Sequence, residues 1–418
     1  MTYIEFFNDV SIENICACLT NVPDRVIYIG RDKKAIDNKI VRYKKLFDSR
    51  GEKNIEFLSR TIKKDSLDSA VSVLQEIVNT YDDCVFGVTG GDEIALMAFG
   101  IVYERNRKTK DIKFHRFNIS NNTICDCDGD GKTVYDEMPV LSVDENILIY
   151  GGDVLYGDVW SDDTYKWRLD KDFINDIGLI WNVCKGNARL WNVQIGVFEA
   201  VYKVGIKSED RLTAVANIAK VKEQLQKNHS SYVSVKGIIK YLLNKGLLTR
   251  FDEDEASITI GFKNPQIMRC LTKAGQALEM KIYVTALGIK NKGESTYNDI
   301  VNGVLIDWDG NFHDDCRENI YDTENEIDII MMRGAVPVFV SCKNGGVEAE
   351  ELYKLNTVAT RFGGKYAKKV LIATSIPKNT QAGKYFIQRA QDMNIKLIND
   401  VKYLKDNELA EKLGNLWK

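Results

Sequence analysis

The sequence predicts an α/β protein made of three successive parts, and three observations carry that prediction. Over the first 150 residues, apolar segments of strand length alternate with amphipathic segments of helix length, which is the order of a parallel, Rossmann-like sheet covered by helices. Two helical segments and two extended ones follow between about 209 and 262, and strands and helices then alternate again. We therefore divide the chain into an N-terminal domain over 1–160, a connector over 161–264 and a C-terminal domain over 265–418.

The composition excludes several classes of protein. Of the 418 residues, 44% are hydrophobic and 28% are charged, and the net charge is −3. This balance is typical of a globular domain and excludes a protein that coats nucleic acid with its whole surface, though not a local basic cleft. No run of 18 apolar residues predicts a membrane span, and the N-terminus lacks the features of a secretory signal. Nine cysteines without a CxxC and three histidines argue against a zinc site. We expect reduced cysteines in a cytoplasmic protein.

Three strands and three helices are predicted in the N-terminal domain. Ser66 is a capping residue type in front of an amphipathic run in which Leu67, Ala70, Val71 and Leu74 share one face. The predicted strands cover 25–30, 54–62 and 83–89, and the predicted helices cover 37–47, 66–81 and 92–102.

Two strand ends in this domain carry the residues of a phosphate site. Parallel sheets bind ligands beyond the carboxyl ends of their strands. Gly30 and Arg31 follow the first predicted strand, and the run Thr89-Gly90-Gly91-Asp92 follows another and opens a helix. The glycines let backbone N–H groups approach a phosphate, and the helix N-terminus adds partial positive charge. The run therefore indicates a nucleotide ligand, with a tight turn at Gly90 and Gly91 as the alternative.

Residues 113–150 are predicted to form β-hairpins. The segment 126–137 matches the D-x-D-x-D-G-x5-E pattern of a calcium loop, but such a loop needs a helix on each side. The flanking segments 113–119 and 146–150 have the character of extended strands instead. Because Asp-Gly pairs favour hairpin turns, we prefer hairpins to a calcium site.

The connector has the order of a winged helix. Segments 211–227 and 233–245 are predicted helices, and 247–251 with 256–262 form a predicted two-stranded wing. Such a module reads DNA in many proteins. The second helix offers lysines but no arginine for contacts with guanine, so a connector or a dimerisation module is the preferred interpretation.

The C-terminal domain carries the most informative feature of the chain. Strands are predicted over 325–332 and 336–342, and a tight turn places acids of the first strand beside a lysine at the end of the second. Glu326 and Asp328 are oxygen donors of the kind that hold a hard divalent cation, and such a cation polarises a phosphodiester and lowers the pKa of a bound water. Lys343 is then placed to offset charge on the phosphate. The alternative is a buried hairpin with two edge charges.

Further elements complete a restriction-endonuclease-like layout of helix, antiparallel strands, helix and strand. The leading helix, 265–284, carries Glu279, which is either a further carboxylate of the site or a solvated charge paired with Lys281 or Lys273. The remaining predicted elements are a strand over 303–308 with a hairpin turn at 309–310, a helix over 346–361 and a strand over 369–374.

At this point the chain resembles a known family. The strand 25–30, the run Thr89-Gly-Gly91 and the early Ser11-Ile-Glu-Asn14 resemble a CARF domain. The stretches 303–310, 325–328 and 341–345 resemble the nuclease domain, of the PD-D/ExK type, that follows such CARF domains. Together they resemble the type III CRISPR ancillary nucleases, which cyclic oligoadenylate activates in antiviral defence.

The resemblance implies a homodimer that binds one cyclic tetra-adenylate across its two CARF domains. It also implies metal-dependent cleavage of single-stranded RNA or DNA, or of duplex DNA, with Mn²⁺ or Mg²⁺ as the metal. We take Asp328 and Glu279 as the metal ligands, and the alternatives are Glu326 as a further acid or Ser341 acting through a water. The implied ligand-binding residues of the CARF domain are Ser11, Asn14, Gly30, Arg31, Thr89, Gly90, Gly91 and Asp92.

The chain departs from the superfamily pattern at Ser341, where an acid normally stands two residues before the lysine. Ser341 and Lys343 share one strand face, and a hydroxyl binds a divalent metal more weakly than a carboxylate does. Alternation also places Glu326 and Asp328 on one face, so spacing alone leaves the choice between them open. Asp328 corresponds best to the superfamily aspartate. The alternative function is a ligand-responsive transcriptional regulator with an inactive nuclease-like domain, because CARF domains occur in both kinds of protein.

Overall fold

The computed structural model describes residues 1–20, 22–52, 54–118, 122–127, 132–134, 139–311 and 323–417. These residues form two six-stranded sheets, a four-stranded sheet and a short two-stranded ribbon, with helices between the strands. The predicted α/β fold class is confirmed. Within the described ranges, no helix is long and apolar enough to cross a membrane.

The N-terminal sheet has the order β3-β2-β1-β4-β5-β6, and all its pairs are parallel except the last. β1 lies at the centre and is buried along its whole length. β1 is covered on both faces, as strands of a parallel sheet usually are. Because its neighbours β2 and β4 run parallel to it, their carboxyl ends lie at the same edge of the sheet. The strands are β1 (Thr2–Phe6), β2 (Arg25–Gly30), β3 (Glu56–Thr61), β4 (Asp83–Gly87), β5 (Asp111–Asn118) and β6 (Thr123–Asp126).

Helices of this domain begin at side-chain caps. The Ser66 hydroxyl accepts a hydrogen bond from the Ser69 N–H, and the Asp92 carboxylate accepts one from the Ala95 N–H, so both helix starts lie close to their predicted places. The helices are α1 (Ser11–Ile15), α2 (Lys33–Ser49), α3 (Leu67–Thr80), α4 (Glu93–Asn106) and α5 (Val143–Tyr150). The next strand, β7 (Asp153–Val154), joins the C-terminal sheet.

The connector contains the predicted winged-helix-like arrangement. Two helices are followed by the wing strands, and two strands that precede those helices extend the wing into the sheet β10-β11-β9-β8. Its elements are α6 (Lys171–Cys184), α7 (Ala188–Val204), β8 (Ile206–Lys207), β9 (Thr213–Asn217), α8 (Ile218–Lys227), α9 (Lys236–Asn244), β10 (Leu248–Glu253) and β11 (Ser257–Phe262).

The C-terminal sheet has the order β18-β17-β16-β15-β14-β7, with an antiparallel half around β15 and a parallel half around β17. The elements preceding the site are α10 (Pro265–Thr272), α11 (Gln276–Leu287), β12 (Lys290–Asn291), β13 (Glu294–Ser295) and β14 (Asp299–Asp307). Those that form or follow it are β15 (Glu324–Arg333), β16 (Val336–Lys343), α12 (Glu350–Gly363), β17 (Lys368–Ala373), α13 (Gln381–Asp392), β18 (Ile395–Ile398) and α14 (Asp406–Gly414).

One hydrophobic core runs through the N-terminal and C-terminal sheets. Ile147 and Tyr150 of α5 belong to the same buried cluster as Leu355 and Phe362 of α12. The Asn146 side chain also donates to the Phe362 carbonyl at 2.7 Å. The two sheets are therefore packed together through α5 and α12, and the division of the chain at residues 160 and 264 stays a prediction.

Four predicted segments are wrong. Residues 146–150 are helical and 211–217 contain β9, because this segment pairs with the wing strand β11. The predicted helix 265–284 is two helices separated around Gly275. Residues 309–310 do not form a tight hairpin turn, because β14 ends at Asp307 and β15 begins at Glu324. Most of the calcium-pattern segment, 128–131 and 135–137, lies outside the described residues.

Candidate functional site

Asp328 lies where the pairing of β15 with β16 ends. The last paired residues of this ladder are Ile329 and Val340. Beyond them the Asp328 carboxylate takes the place of a backbone partner: its Oδ2 accepts the Cys342 N–H at 2.5 Å and the Ser341 hydroxyl at 3.3 Å. The carboxylate is thereby fixed beside Ser341, as the strand phases predict.

Lys343 ends β16 and is half-buried beside these groups. Its Nζ forms an ion pair with the Glu351 carboxylate of α12 at 2.7 Å. Burial disfavours the charge of Lys343, but the carboxylates of Asp328 and Glu351 outweigh burial and raise its pKa. The lysine therefore stays charged, which a group that faces a phosphate requires.

Sequence reasoning missed Glu351. Its signal is an acid in the first turn of the helix that follows the lysine strand, where an acid is also favoured by the helix dipole. Nothing in the spacing shows that this turn folds back onto Lys343, because the intervening segment 344–349 is irregular.

Glu279 approaches the site from α11. Burial, and then repulsion from Asp328 and Glu326, raise the pKa of Glu279 well above its usual range. An amide chain joins the two acids: the Gln276 amide donates to Glu279 Oε2 at 3.1 Å and to Asn302 Oδ1 at 3.0 Å, and the Asn302 amide donates to the Asp328 carbonyl at 2.9 Å. The structure thus brings Glu279 toward Asp328.

The remaining predicted groups divide between the site and the surface. Glu326 is exposed on the strand that carries Asp328 and contributes to raising the pKa of Asp328. The lysines considered as surface partners of Glu279 form other ion pairs, Lys281 with Asp406 at 2.8 Å and Lys273 with Asp162 at 3.1 Å.

The donor set suits a hard cation. Asp328 and Glu279 offer carboxylate oxygens, and their mutual repulsion is what a divalent cation between them would relieve. Across the described ranges, no group of three or more His, Cys, Asp or Glu side chains is arranged to hold a metal. A cation here would therefore draw its other ligands from backbone carbonyls, water or substrate.

The ionisation of Asp328 predicts a pH-dependent stability. Burial raises the pKa of Asp328 to about 6, above its value of about 3.9 in an unfolded chain. Ionisation of Asp328 therefore lowers the free energy of unfolding above pH ~6. This loss of stability disappears as the pH falls through ~6 toward ~4. In metal-free buffer, Asp328→Asn is expected to raise the melting temperature at pH 8 and to leave it nearly unchanged at pH 4.5.

Asp254 supplies the control with the opposite sign. Backbone hydrogen bonds from Ala256 and Ser257 lower the pKa of Asp254, so its ionised form stabilises the fold at neutral pH. Asp254→Asn should lower the melting temperature at pH 8. An equal gain for Asp328→Asn at both pH values would contradict the assignment of a raised pKa to Asp328.

A second candidate site lies at the carboxyl edge of the N-terminal sheet. A cavity of about 510 Å³ opens there, and Gly30, Arg31, Gly91 and Asp92 are among its lining residues. Arg31 forms an ion pair with Asp92 across the cavity edge. Asn8 and Asp9 also line it, and sequence reasoning missed both because it did not identify β1, the strand that they follow.

The other predicted ligand residues support the fold around this cavity. The Ser11 hydroxyl accepts from Lys39 Nζ at 2.7 Å, the Asn14 amide donates to the Asn8 carbonyl at 2.8 Å, and the Thr89 hydroxyl accepts the Phe117 N–H at 2.8 Å. A side chain at Gly90 would collide with the Asn8 amide. The residues that line the described cavity do not include these four.

Gly91 has a backbone conformation that other residues rarely adopt. Its φ is +95°, and an added Cβ would lie 3.1 Å from the Ala95 Cβ and 3.2 Å from the Phe6 Cβ. A bulky side chain at Gly91 would therefore strain the backbone and disturb the packing against Phe6 and Ala95. Arg31, whose side chain is partly exposed at the cavity, is the better position for a test.

Comparisons with known proteins place this architecture among solved structures. No family model matches the chain, and a comparison with curated proteins finds no match. The crystal structure of protein VC1899 from Vibrio cholerae is 14% identical over 100% of this chain and 97% of that chain, with a TM-score of 0.71. The structure of Can2 from Sulfobacillus thermosulfidooxidans in complex with cyclic tetra-adenylate is 16% identical over 100% of this chain and 99% of that chain, with a TM-score of 0.64.

A further structure, of a type III CRISPR defence DNA nuclease activated by cyclic oligoadenylate, aligns with 91% of this chain and 47% of that chain at 11% identity and a TM-score of 0.46. The first two likenesses span both chains almost completely. The whole chain therefore shares the fold of VC1899 and Can2, and the resemblance inferred from the sequence is confirmed at the level of the fold.

Proposed function

We propose that this protein is a nuclease of type III CRISPR defence that cyclic oligoadenylate, most simply cyclic tetra-adenylate, activates. The observation that carries the proposal is the group formed by Asp328, Lys343 and Glu351 at one edge of the C-terminal sheet, in a chain with the fold of Can2, whose structure holds cyclic tetra-adenylate. A transcriptional regulator has no need of a lysine held between two carboxylates.

The residues of the site divide the chemistry among them. Asp328 and Glu279 would hold Mn²⁺ or Mg²⁺, which when bound supplies charge stabilisation and a more acidic water. Lys343 orients the scissile phosphate and offsets its charge. Glu351 positions that lysine through their ion pair at 2.7 Å. The Ser341 hydroxyl, on the neighbouring strand, donates a hydrogen bond to the Asp328 carboxylate and helps to hold it in place.

The activator would occupy the cavity at the carboxyl edge of the N-terminal sheet. Its volume of about 510 Å³ in one chain is too small for four nucleotides, so the proposal needs a homodimer whose two cavities share one ring. Helix α4, which begins at this cavity, exposes Leu96 and Met97. An apolar patch beside the ligand is where we place the contact between the two copies.

Helix α12 connects the two sites. The buried Glu13 carboxylate binds Lys365 Nζ at 2.7 Å and the Tyr366 hydroxyl just beyond the C-terminal end of α12. The same carboxylate accepts from the Asn8 amide at 2.9 Å, and Asn8 lines the activator cavity. The first turn of α12 carries Glu351, the partner of Lys343. A displacement at Asn8 can therefore reach the catalytic lysine through one rigid helix.

Activity is tested with purified protein and plasmid, single-stranded DNA and single-stranded RNA. Each substrate is incubated with Mn²⁺, with and without cyclic tetra-adenylate. We expect cleavage of at least one substrate in the presence of both. An absence of cleavage of all three, with cyclic tetra-adenylate bound, would favour the regulator.

Binding of the activator is tested at Arg31. Arg31→Ala removes a guanidinium from the cavity edge, and losing one charge-assisted hydrogen bond of roughly 1.5–3 kcal/mol should weaken binding about 10- to 150-fold. Calorimetric titration with cyclic tetra-adenylate measures this. Arg25→Ala is the matched control, because Arg25 pairs with Glu56 at the opposite end of the same strand. Equal affinity of the two variants would exclude the cavity as the activator site.

A further inference from the structure

A second cavity lies among the segments that follow Lys343 and its paired strand β17, outside the groups assigned so far. Its volume is about 740 Å³. It lies between the start of α12, the segment after β17 and one face of α13. The residues that characterise it are Val347, Ile376, Pro377, Tyr385, Phe386 and Arg389.

Two of the segments that form this cavity make backbone hydrogen bonds next to Lys343. Thr374, two residues before the wall residue Ile376, donates its N–H to the Lys343 carbonyl at 3.0 Å. On the other wall, the Glu348 carbonyl accepts the N–H of Glu351 at 3.2 Å, and Glu351 is the ion-pair partner of Lys343. The cavity and the catalytic lysine therefore share one rigid frame.

The chemistry of the cavity is aromatic and apolar. Tyr385 is 65% exposed, whereas Ile376 and Phe386 are buried. The Tyr385 hydroxyl is held by the Gln381 amide at 3.1 Å. Close by, the Arg389 guanidinium lies 5.6 Å from the ring centre of Tyr353, and Tyr353 is 47% exposed.

The charges around the cavity disfavour a phosphate inside it. Its lining residues include two carboxylates, Glu348 and Asp392, against one guanidinium, Arg389, and carboxylates repel phosphate oxygens but accept hydrogen bonds from amino groups. A flat, neutral group with amino edges suits these walls, and a nucleobase is such a group.

We propose that this cavity binds an unstacked base of the nucleic-acid substrate, with Tyr385 as the stacking ring, while the adjoining phosphate lies at Lys343. The inference rests on the proposed nuclease function and names its substrate class as single-stranded nucleic acid. A base in a duplex is paired and stacked on its neighbours, so it does not enter such a cavity. Selection of single strands then comes from Tyr385 and not from the catalytic group.

Binding is measured by fluorescence anisotropy with a labelled 12-nucleotide single strand, in the presence of cyclic tetra-adenylate and without divalent ions, so that no cleavage occurs. Stacking on one aromatic ring is worth enough to predict about 5- to 150-fold weaker binding for Tyr385→Ala. Tyr385→Phe keeps the ring and should bind like the unaltered protein. Tyr403→Ala is the matched control, because Tyr403 is 75% exposed in the same domain and does not line the cavity.

Each outcome decides the inference separately from the proposed function. Weaker binding of the single strand by Tyr385→Ala alone, with unchanged binding of a 12-base-pair duplex, supports it even if no substrate is ever cleaved. Equal binding by Tyr385→Ala and the unaltered protein overturns it even if cleavage is strong. An equal loss for single strand and duplex, or for Tyr385→Ala and Tyr385→Phe, also overturns it, because stacking predicts neither.

Discussion

Lys343→Ala is expected to lower the rate of activator-dependent cleavage by about 10²- to 10³-fold, the scale found when one preorganised donor is removed from a site of developing charge. Lys343 is the cation whose pKa is raised by the Asp328 and Glu351 carboxylates, so its removal takes the positive charge away from those acids and from the phosphate. Single-turnover cleavage of the preferred substrate measures the loss.

The controls for this experiment separate catalysis from folding and binding. Lys227→Ala removes a lysine from the exposed pair with Glu223 and should leave the rate unchanged. The affinity of Lys343→Ala for cyclic tetra-adenylate should also be unchanged, because Lys343 does not line the activator cavity. Near-full cleavage by the double variant Asp328→Ala, Lys343→Ala would refute the nuclease assignment and favour the regulator.

Cleavage is expected to depend on the activator by about 100-fold or more, because a protein with an unrestrained nuclease would damage its own cell. Moving a two-state equilibrium from 1:99 to 99:1 requires about 5.5 kcal/mol of differential affinity, which a ligand that spans a dimer can provide. The ratio of the cleavage rates with and without saturating cyclic tetra-adenylate measures this dependence. A ratio near one for the unaltered protein would rule out gating.

The contacts of α12 with Glu13 allow a more specific prediction about activator-dependent cleavage. The double variant Lys365→Met, Tyr366→Phe keeps the apolar parts of both side chains. It removes the ion pair and the hydrogen bond that they form with the Glu13 carboxylate. This variant should still bind the activator and lose most of the rate ratio. Lys227→Met, which breaks an exposed pair on α8, should keep it. A full ratio in the first variant would show that the signal does not pass through Glu13.

The elements that sequence reasoning identified are those with a local signal. The acid and lysine of the β15–β16 hairpin are close in sequence and alternate in phase, so their approach follows from strand geometry. Helix α3 has both an amphipathic face and a Ser66 cap. Glu351 and Asn8 had no such signal. Glu351 reaches its site through an irregular segment, and Asn8 follows a strand that the sequence did not identify.

The errors have physical causes of the same kind. β1 contains Glu5, a carboxyl whose burial raises its pKa well above the usual range, so its sequence lacks the uniform apolar character of a buried strand. Helix α5 did carry a local signal, the capping box of Ser142 and Glu145, but its run of isoleucine and leucine looked extended. β9 is a strand only because β11 pairs with it, and pairing across about forty residues is not visible in local sequence.

The hydrogen bond from the Cys342 N–H to the Asp328 carboxylate gives the site a built-in spectroscopic reporter. An amide bonded to a carboxylate changes its magnetic environment when that carboxylate loses or gains a proton, and with a pKa of about 6 for Asp328 the change falls within the range of ordinary buffers. A cation that displaces the proton would move the same resonance in the direction of ionisation. The ¹⁵N signal of one backbone amide thus registers the electrostatic state of the site in a resting molecule, before any phosphodiester is broken.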